Sequence, residues 1–196
     1  MKEMIQMVVV LTVLSVVSGV GLAFIQTKTS ASIENNKLEF IKGPAIKAIF
    51  KGSTNNPIAD RFKLKAEGAE RNFFVGVFKD KPEAVCLEGS GKGFGGDVGI
   101  AVGVDLKTDK IVGVRVTTQT ETPGVGSRAV TDLTFVSQFT GKSLGEGYKV
   151  KADGGQVDAI SGATFTSRAV AAGLTEAGKI YKELKPQIVE KAKSFK

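Results

Sequence analysis

The sequence predicts an α+β protein, with a twisted, mainly antiparallel sheet, flanking helices and one N-terminal transmembrane helix. Three observations support that prediction. An uncharged apolar run near the N-terminus is as long as a membrane helix, and short β-branched runs between turn residues predict hairpin-connected strands. The C-terminal stretch repeats apolar residues at helical spacing. A chain of 196 residues has room for one modest domain beside these accessory segments.

Residues 1–28 form the predicted membrane anchor. Met4–Thr27 contains no charged residue, and a helix from Ile5 to Ile25 would rise about 32 Å, close to the thickness of a bilayer's hydrocarbon core. A cleaved signal peptide is the alternative, since Ser18–Ala23 offers small residues for cleavage. The apolar region of a signal peptide is shorter than this run, so a retained anchor is favoured.

Residues 29–60 are predicted to link the anchor to the folded domain, residues 61–196. The apolar residues of the linker recur at helical spacing, but Gly43-Pro44 interrupts them. This pattern predicts a broken or kinked helix. Gly52–Pro57 is rich in turn residues and predicts a loop before the first strand.

The folded domain is predicted to begin with short strands. One of them is apolar on both faces, which predicts a strand that is covered on both sides. Thr108-Asp109-Lys110 predicts a hairpin turn after that strand. The four predicted strands are Phe73–Phe78, Glu83–Leu87, Val98–Asp105 (the doubly apolar one) and Ile111–Val116.

Helices and two short strands are predicted for the second half of the domain. Ala129–Phe139 is predicted as one helix that ends at Gly141, and Lys149–Val150 and Val157–Ile160 as short strands. A C-terminal helix follows, which Pro186 ends or kinks. Its predicted buried face repeats at near-helical spacing and comprises Val170, Leu174, Ala177, Tyr181 and Leu184.

The composition excludes several kinds of redox and catalytic site. The chain has no His, no Trp and a single Cys, Cys86. It therefore has no internal disulfide, no Cys-x-x-Cys metal site, no His-ligated haem and no His-activated nucleophile. Cys86 lies in an apolar strand-like run, which predicts a buried structural thiol. A redox role would need a bound organic cofactor.

The net charge of +7 does not predict a nucleic-acid partner, because no basic stretch is interleaved with aromatic residues. The lysines concentrate toward the C-terminus, where a solvated helix face is the preferred interpretation. A patch for anionic lipid or for a partner protein stays open as an alternative. These lysines are Lys179, Lys182, Lys185, Lys191, Lys193 and Lys196.

The segment Asp158-Ala159-Ile160-Ser161-Gly162-Ala163-Thr164 is the most informative motif in the chain. A helix-forming stretch follows it, so its hydroxyls lie at a helix N-terminus, where unpaired N–H groups and the helix dipole favour a phosphate. Simpler interpretations exist: Ser161 or Thr166 caps the helix, Gly162 serves a turn, and Asp158 is a turn or capping carboxylate.

This motif resembles the flavinylation site of the FMN-binding domain found in the Rnf and Na⁺-translocating NADH:quinone reductase complexes. A second segment, Glu121-Thr122-Pro123-Gly124-Val125-Gly126, is similar to the Glu-Thr-Pro-Gly-Leu-Gly loop of that family, with Val125 in the Leu position. The Gly-rich Gly93–Asp97 and the strands after it resemble the opening of the same domain. The resemblance extends from about Gly89 to Tyr181.

The resemblance implies that Thr164 carries FMN through a phosphoester bond made by a flavin transferase, which takes FMN from FAD. External modification agrees with the composition, because a Thr hydroxyl is a poor nucleophile and the chain has no His to activate it. Asp158 would belong to the recognition sequence of the transferase. Ser161 and Gly162 would let the backbone approach the phosphate closely, and Ala163 completes the predicted cofactor-binding segment.

By the same resemblance, the loop that begins at Glu121 packs beside the isoalloxazine ring of FMN. A tight turn alone explains its Pro-Gly pair. Glu121 and Thr122 are not explained in that way, and together with Val125 they are predicted to bind the cofactor. Thr122 and Val125 would supply an apolar wall with a polar group. Phe165 is interpreted as a core residue and is left out of the predicted site.

The predicted function is electron transfer within a membrane complex, not catalysis by the chain alone. The Gly-rich segment lacks the spacing and the setting of a nicotinamide-binding fingerprint. Within the family, the size and single anchor most resemble RnfG, the G subunit of the Rnf complex, a ferredoxin:NAD⁺ oxidoreductase coupled to ion transport. The C subunit of the quinone reductase is one alternative, and an anchored, non-redox FMN-sensing or ligand-binding module is another.

The implied location is the cell (inner) membrane, which the chain would cross once. The resemblance places the C-terminal domain on the extracytoplasmic side. The implied partners are the other membrane subunits of an Rnf-type complex, together with the flavin transferase for maturation.

Overall fold

The computed structural model describes residues 1–66 and 68–195, and the chain divides into two compact units, Met1–Phe40 and Ile41–Lys196. The first unit is helical and the second contains the sheet. Lys196, the last of the basic C-terminal group, lies outside the described residues.

The first unit is dominated by one long helix, α1 (Lys2–Asn36). Every large apolar side chain from Met4 to Ile25 is more than half exposed. An apolar surface all round a helix is typical of a membrane span rather than of a helix packed on a core. Its stretch Lys2–Ser30 is long enough and apolar enough to cross a membrane. The predicted N-terminal helix that could span a membrane is confirmed.

The predicted interruption at Gly43-Pro44 is a change of helix type. A π-helical stretch, Lys37–Lys42, follows α1, and α2 (Gly43–Ile49) begins at the interruption. Pro44 lies in the first turn of α2, where its missing N–H group would have had no intrahelical partner. Ile46 and Ile49 of α2 are buried in the second unit.

The second unit is built on one five-stranded sheet in which every neighbouring pair is antiparallel. The spatial order of the strands equals their order in the chain, so each one is joined to the next by a turn or a short loop. The strands are β1 (Arg61–Ala66), β2 (Ala69–Phe78), β3 (Lys81–Lys92), β4 (Asp97–Asp105) and β5 (Ile111–Thr118).

The predicted sheet is confirmed, with one strand more than expected. All four predicted segments lie in β2 to β5, and the observed strands are longer than the predicted ones. Strand β1 was missed although its sequence alternates, with Leu64 and Ala66 buried and Lys63 and Lys65 exposed on the other face. Lysines on an edge strand discourage pairing with another chain.

Strand β4 has both faces covered, as predicted from its apolar sequence. Val98, Ile100 and Val102 join the main core on the face that packs against the C-terminal helix. Gly103 points to the other face, where Ile49 of α2 lies against it. The long loop after β5 and the C-terminal helix complete the layer on the first face.

The predicted helix Ala129–Phe139 is two short helices, α3 (Arg128–Thr131) and α4 (Leu133–Ser137). They divide at Asp132 because its carboxylate accepts hydrogen bonds from the N–H groups of Thr134, at 3.1 Å, and Phe135, at 3.2 Å. An Asp in this position caps the second helix and ends the first. The two predicted short strands reduce to a single parallel bridge, Val150 to Val157.

Helix α5 (Thr164–Ala192) continues past Pro186, where the sequence predicts an end or a kink. The five predicted core positions are all buried, and Ile188 and Ala192 continue the same buried face beyond the proline. Packing of these residues outweighs the loss of one backbone hydrogen bond at the exposed Pro186. Of the two alternatives predicted for Pro186, an end or a kink, the structure excludes the end.

The predicted hairpin turn between β4 and β5 holds the far end of α5. Asp109 has a left-handed backbone, with φ of 59°. Its carboxylate accepts a hydrogen bond from the Tyr181 hydroxyl at 2.8 Å and pairs with Lys185 at 2.6 Å.

Cys86, on strand β3 of the sheet, is fully buried, and this burial raises the pKa of its thiol. The predicted burial of this thiol is confirmed.

Candidate functional site

The two motif segments meet at one cavity of about 250 Å³. The loop after β5 forms one wall, and the N-terminus of α5 forms the other. The turn between β3 and β4 adds Phe94 to the rim. The lining residues are Phe94, Glu121, Thr122, Val125, Gly126, Gly162, Ala163, Thr164, Phe165 and Thr166.

Thr164 is the first residue of α5 and lies at the mouth of this cavity. Its side chain is half-buried, and within the described residues its hydroxyl has no hydrogen-bond partner. The first α-helical bond runs from the Ser167 N–H to the Ala163 carbonyl, at 3.0 Å. The N–H groups of the first turn, from Thr164 to Thr166, therefore have no protein acceptor in the part of the chain that the structure describes.

No side chain among the described residues caps α5. Its N-cap residue is Ala163, so neither Ser161 nor Thr166 serves as the cap. Gly162 has φ of 78° and forms the turn that enters the helix, as its simpler interpretation predicted. An uncapped helix start leaves its N–H groups available to a phosphate.

Two buried or half-buried side chains hold the motif segment in place. The Ser167 hydroxyl, fully buried, accepts from the Ile160 N–H and donates to the Ala163 carbonyl, each at 3.0 Å. The Gln138 amide bonds both backbone groups of Asp158, accepting from its N–H at 2.8 Å and donating to its carbonyl at 3.1 Å. Both positioning residues escaped the sequence-based prediction, since neither belongs to a motif.

Glu121 forms the base of the cavity. Its carboxylate, only 6% exposed, accepts hydrogen bonds from the Thr166 hydroxyl and from the Gly95 N–H, the latter at 2.7 Å. Burial raises the pKa of this carboxyl, but the hydrogen bonds from Thr166 and from the backbone around Gly95 lower it by more, so the net shift is downward. The buried carboxylate thus stays ionised and ties together three segments.

Gly126 makes this close approach of loop and helix sterically feasible. A Cβ built at Gly126 would lie 2.6 Å from the Thr166 hydroxyl oxygen and 2.8 Å from a Glu121 carboxylate oxygen. Any side chain here would separate the loop from α5. The second glycine of the loop motif is therefore a packing requirement.

Thr122 and Val125 are the ends of the predicted tight turn. The Val125 N–H donates to the Thr122 carbonyl at 3.2 Å, with Pro123 next and Gly124 third, at φ of 73°. This combination is typical of a type II turn. The turn leaves the side chains of Thr122 and Val125 exposed at the cavity.

Asp158 and Ser161 lie at a different cavity. It measures about 300 Å³ and lies beside α3 and α4, with Arg128, Asp132 and Gln138 in its lining. Asp158 pairs with Lys151 at 2.7 Å on an exposed surface. The structure thus brings together six of the eight predicted site residues and sets these two apart. The six are Glu121, Thr122, Val125, Gly162, Ala163 and Thr164.

Phe94 and Phe165 are the apolar residues of the cavity that sequence reasoning missed. Phe165 is 58% exposed, so its interpretation as a core residue was wrong, and Phe94 is 76% exposed. Their rings lie 6.2 Å apart, centroid to centroid. One feature of the sequence indicated that Phe165 belongs to the site: it directly follows Thr164, the last residue of the attachment motif. No pattern in the sequence distinguished Phe94 from a surface residue.

Comparison with known proteins agrees with this geometry. The FMN-binding domain family matches residues 93–179, which contain every residue that lines the cavity. The G subunit of the ion-translocating oxidoreductase complex (RnfG) of Pseudomonas aeruginosa (strain UCBPP-PA14) is 36% identical over 165 residues, which cover 78% of this chain and 77% of the relative. This chain belongs to the RnfG family.

Further relatives extend the comparison. RnfG from Escherichia coli (strain K12) is 34% identical over 125 residues, covering 61% of this chain and 60% of that protein. Among solved structures, Shewanella oneidensis NqrC matches with a TM-score of 0.51 and 25% identity, covering 71% of this chain and 72% of that chain. The family membership and the FMN-binding domain that the sequence motifs indicated are both confirmed.

Proposed function

We propose that this RnfG family member carries FMN on Thr164 and serves as an electron-transfer subunit of an Rnf-type, ion-translocating oxidoreductase complex. The curated relatives are named as subunits of such a complex, and an FMN-binding domain spans the cavity. When bound, FMN would supply the redox chemistry that none of the side chains provides.

The environment of the Thr164 hydroxyl is the observation that carries this proposal. Among the described residues, it is the one threonine hydroxyl that lies at the cavity mouth and at an uncapped helix start together. A hydroxyl without a partner can be esterified without breaking a hydrogen bond of the fold. The nearby Thr166 differs, because its hydroxyl is buried and bonded to Glu121.

The residues of the cavity fit FMN. The N–H groups of the first turn of α5 would donate to its phosphate, whose charge the helix dipole favours. Val125 and the two phenylalanines offer apolar contact to a planar ring, and Thr122 a polar group. A volume of about 250 Å³ is below the ~300–1,000 Å³ typical of enclosed small-molecule sites. The cavity would therefore hold part of the cofactor and leave the rest open to a partner.

Attachment would require a second protein. The Thr164 oxygen would bond to the phosphorus of the FMN half of FAD, and AMP would leave with the electrons of the cleaved pyrophosphate bond. The hydroxyl proton needs a base, and among the described residues the one carboxylate lining the cavity, Glu121, is already occupied by two donors. A flavin transferase would supply the base.

The proposed location follows from α1 and from the relatives. One apolar N-terminal helix and homology to subunits of a membrane complex indicate a membrane-anchored protein. We place the C-terminal domain on the extracytoplasmic side, with the other membrane subunits of the complex as partners.

Protease added to right-side-out vesicles tests this orientation. It should remove the domain, and protection of the domain would reject the orientation. A mature N-terminus beyond Ala23 would reject the retained anchor.

Mass spectrometry of the intact protein, co-expressed with a flavin transferase, tests the attachment site. Wild-type protein should carry the added mass of one FMN phosphoester, and denatured protein should show flavin fluorescence in a gel. Thr164→Val should lose both signals completely, since it keeps the β-branched shape and removes only the hydroxyl.

Thr122→Val is the matched control for that experiment. It removes a threonine hydroxyl from the same cavity, on an exposed loop, and should leave the covalent flavin in place. Ser161→Ala should give partial flavinylation, because it alters the motif and leaves the acceptor. Full flavinylation of Thr164→Val would reject the site. Flavin that dissociates on denaturation of the wild type would favour a reversible FMN-sensing module instead.

The similarity to NqrC keeps the C subunit of a Na⁺-translocating quinone reductase as the second candidate. Co-purification distinguishes the two. An affinity-tagged chain should bring down the remaining subunits of an Rnf-type complex from its native membranes, with ferredoxin-dependent NAD⁺ reduction. Recovery of quinone-reductase subunits in their place would select the alternative.

A further inference from the structure

Phe94 and Phe165 stand out among the apolar side chains of the second unit. Within its described residues, the large apolar side chains that are more than half exposed are Phe94, at 76%, Leu133, at 54%, and Phe165, at 58%. Two of these three are in contact with each other, at the rim of one cavity. Single exposed apolar residues are ordinary, but an exposed aromatic pair at a cavity mouth is typical of a ligand site.

Phe165 is held in place by a charged side chain on the next turn of α5. The Arg168 guanidinium lies 5.4 Å from the centroid of the Phe165 ring. Its Nε and Nη2 atoms donate to the two carboxylate oxygens of Asp153, each at 2.7 Å. The two parallel hydrogen bonds to Asp153 fix the Arg168 guanidinium, and the fixed guanidinium in turn restricts the Phe165 ring that it covers.

Phe94 is held by the tight turn between β3 and β4. The Gly93 N–H donates to the Gly96 carbonyl at 2.8 Å, which closes the turn around Phe94. The Thr120 hydroxyl donates to the Gly95 carbonyl at 3.1 Å, and Glu121 accepts from the Gly95 N–H. The backbone beside Phe94 is therefore held by Thr120 and by the buried Glu121, and it fixes the position of the exposed Phe94 ring.

The geometry of the two rings determines how a flat ligand can meet them. For a ligand ring to stack between Phe94 and Phe165, the two phenylalanine rings would have to be parallel and roughly 7–8 Å apart, which is twice the contact distance of stacked rings. The observed centroids are 6.2 Å apart, and the planes are inclined by 55°. A flat ligand would thus lie across the pair, on the cavity side, and not between the two rings.

We propose that Phe94 and Phe165 form the seat of the isoalloxazine ring of the FMN carried on Thr164, and that Arg168 is a positioning residue for Phe165. This inference rests on the proposed function. The aromatic seat would fix the orientation of a ring that is otherwise tethered only through its flexible phosphoester chain. It would also exclude water from one face of the ring.

Time-resolved fluorescence anisotropy of the attached flavin tests the seat on the full-length flavinylated protein in detergent. The ring should rotate with the whole protein in the wild type. In Phe94→Ala and Phe165→Ala, a fast component should appear, because the ratio of docked to free ring falls roughly 2- to 13-fold per aromatic contact removed. Arg168→Gln should give a smaller fast component, and Phe165→Leu should behave like Phe165→Ala if stacking matters more than apolar volume.

Leu133→Ala is the matched control, since Leu133 is an exposed apolar residue that does not line this cavity. Its anisotropy decay should equal that of the wild type. Fast rotation already present in the wild type, or decays in both phenylalanine variants equal to that of Leu133→Ala, would overturn the seat and favour a docking surface for a partner protein.

Intact mass separates this inference from the proposed function. Wild-type protein without the FMN mass would overturn both. Wild-type protein with the full FMN mass and a freely rotating ring would overturn the seat alone. Only flavinylated molecules fluoresce, so partial flavinylation of Phe165→Ala does not affect the comparison of decays.

Discussion

The mouth and the base of the attachment cavity are built in opposite ways, although their principal threonines are only two positions apart. At the mouth, Thr164 has an unpartnered hydroxyl among the described residues, and Phe94 and Phe165 expose most of their surface. At the base, Thr166 and Glu121 are buried and hydrogen-bonded to each other. Neighbouring positions in one helical turn thus serve different purposes.

This difference separates chemistry from stability within one site. Removal of a buried hydrogen-bond partner leaves a desolvated polar group, whereas an exposed group is solvated whether or not it has a partner. Substitutions at the base should therefore change the free energy of unfolding, and substitutions at the mouth should change the flavin. The following predictions test that separation.

Glu121→Ala should show the largest effect on stability. It deprives the Thr166 hydroxyl and the Gly95 N–H of their acceptor, which should lower the free energy of unfolding by about 2–4 kcal/mol. Urea unfolding of the full-length protein in detergent, followed by circular dichroism, measures the change. Thr122→Ala, on the exposed part of the same loop, should stay within about 0.5 kcal/mol of the wild type. Equal stability of both variants would contradict a structural base.

Thr166→Val should lower the free energy of unfolding by about 1–3 kcal/mol, because the ionised Glu121 carboxylate loses its hydroxyl donor in a buried place. The flavin should remain on Thr164, as the attachment hydroxyl is unchanged. Unfolding and intact mass should be measured on the same preparation. Loss of flavin only in Thr166→Val, with Thr164→Val still flavinylated, would move the attachment site two residues onward.

The stability of the base should depend on pH in the acid range. The pKa of Glu121 is lower in the folded state than its ordinary value, so its ionised form favours folding. That contribution is complete above the unfolded-state pKa of about 4.3 and is lost as the pH falls through the lower folded-state pKa. The difference in unfolding free energy between wild type and Glu121→Gln should therefore shrink below about pH 4. A difference that grows on acidification would contradict the assignment.

Asp158→Asn should show the smallest effect on stability, within about 0.5 kcal/mol, because its ion pair with Lys151 is exposed. If Asp158 belongs to the recognition sequence of the transferase, the rate of flavinylation should still fall. Time courses with purified transferase and FAD measure that rate. Lys151→Gln removes the same ion pair and is the control: an equal loss of rate in both variants would assign the effect to the ion pair.

The sequence by itself determined the elements with strong local patterns. The uncharged run of α1, the doubly apolar β4 and the spacing of buried residues on α5 each follow from periodicity, which burial on one or two faces imposes on the chain. The two motifs likewise identified the family, because their residue order is more specific than any single turn or cap.

Only the tertiary structure decided where the polar side chains of the site point. Glu121 and Thr166 are 45 positions apart, and no local rule couples a loop carboxylate to a helix hydroxyl at that separation. Long-range packing also exposed Phe165, buried Thr166 and carried α5 past Pro186. Secondary-structure periodicity places a residue on one face of its helix or strand. The contacts of that face depend on which other elements pack against it, and this packing is determined only when the whole chain folds.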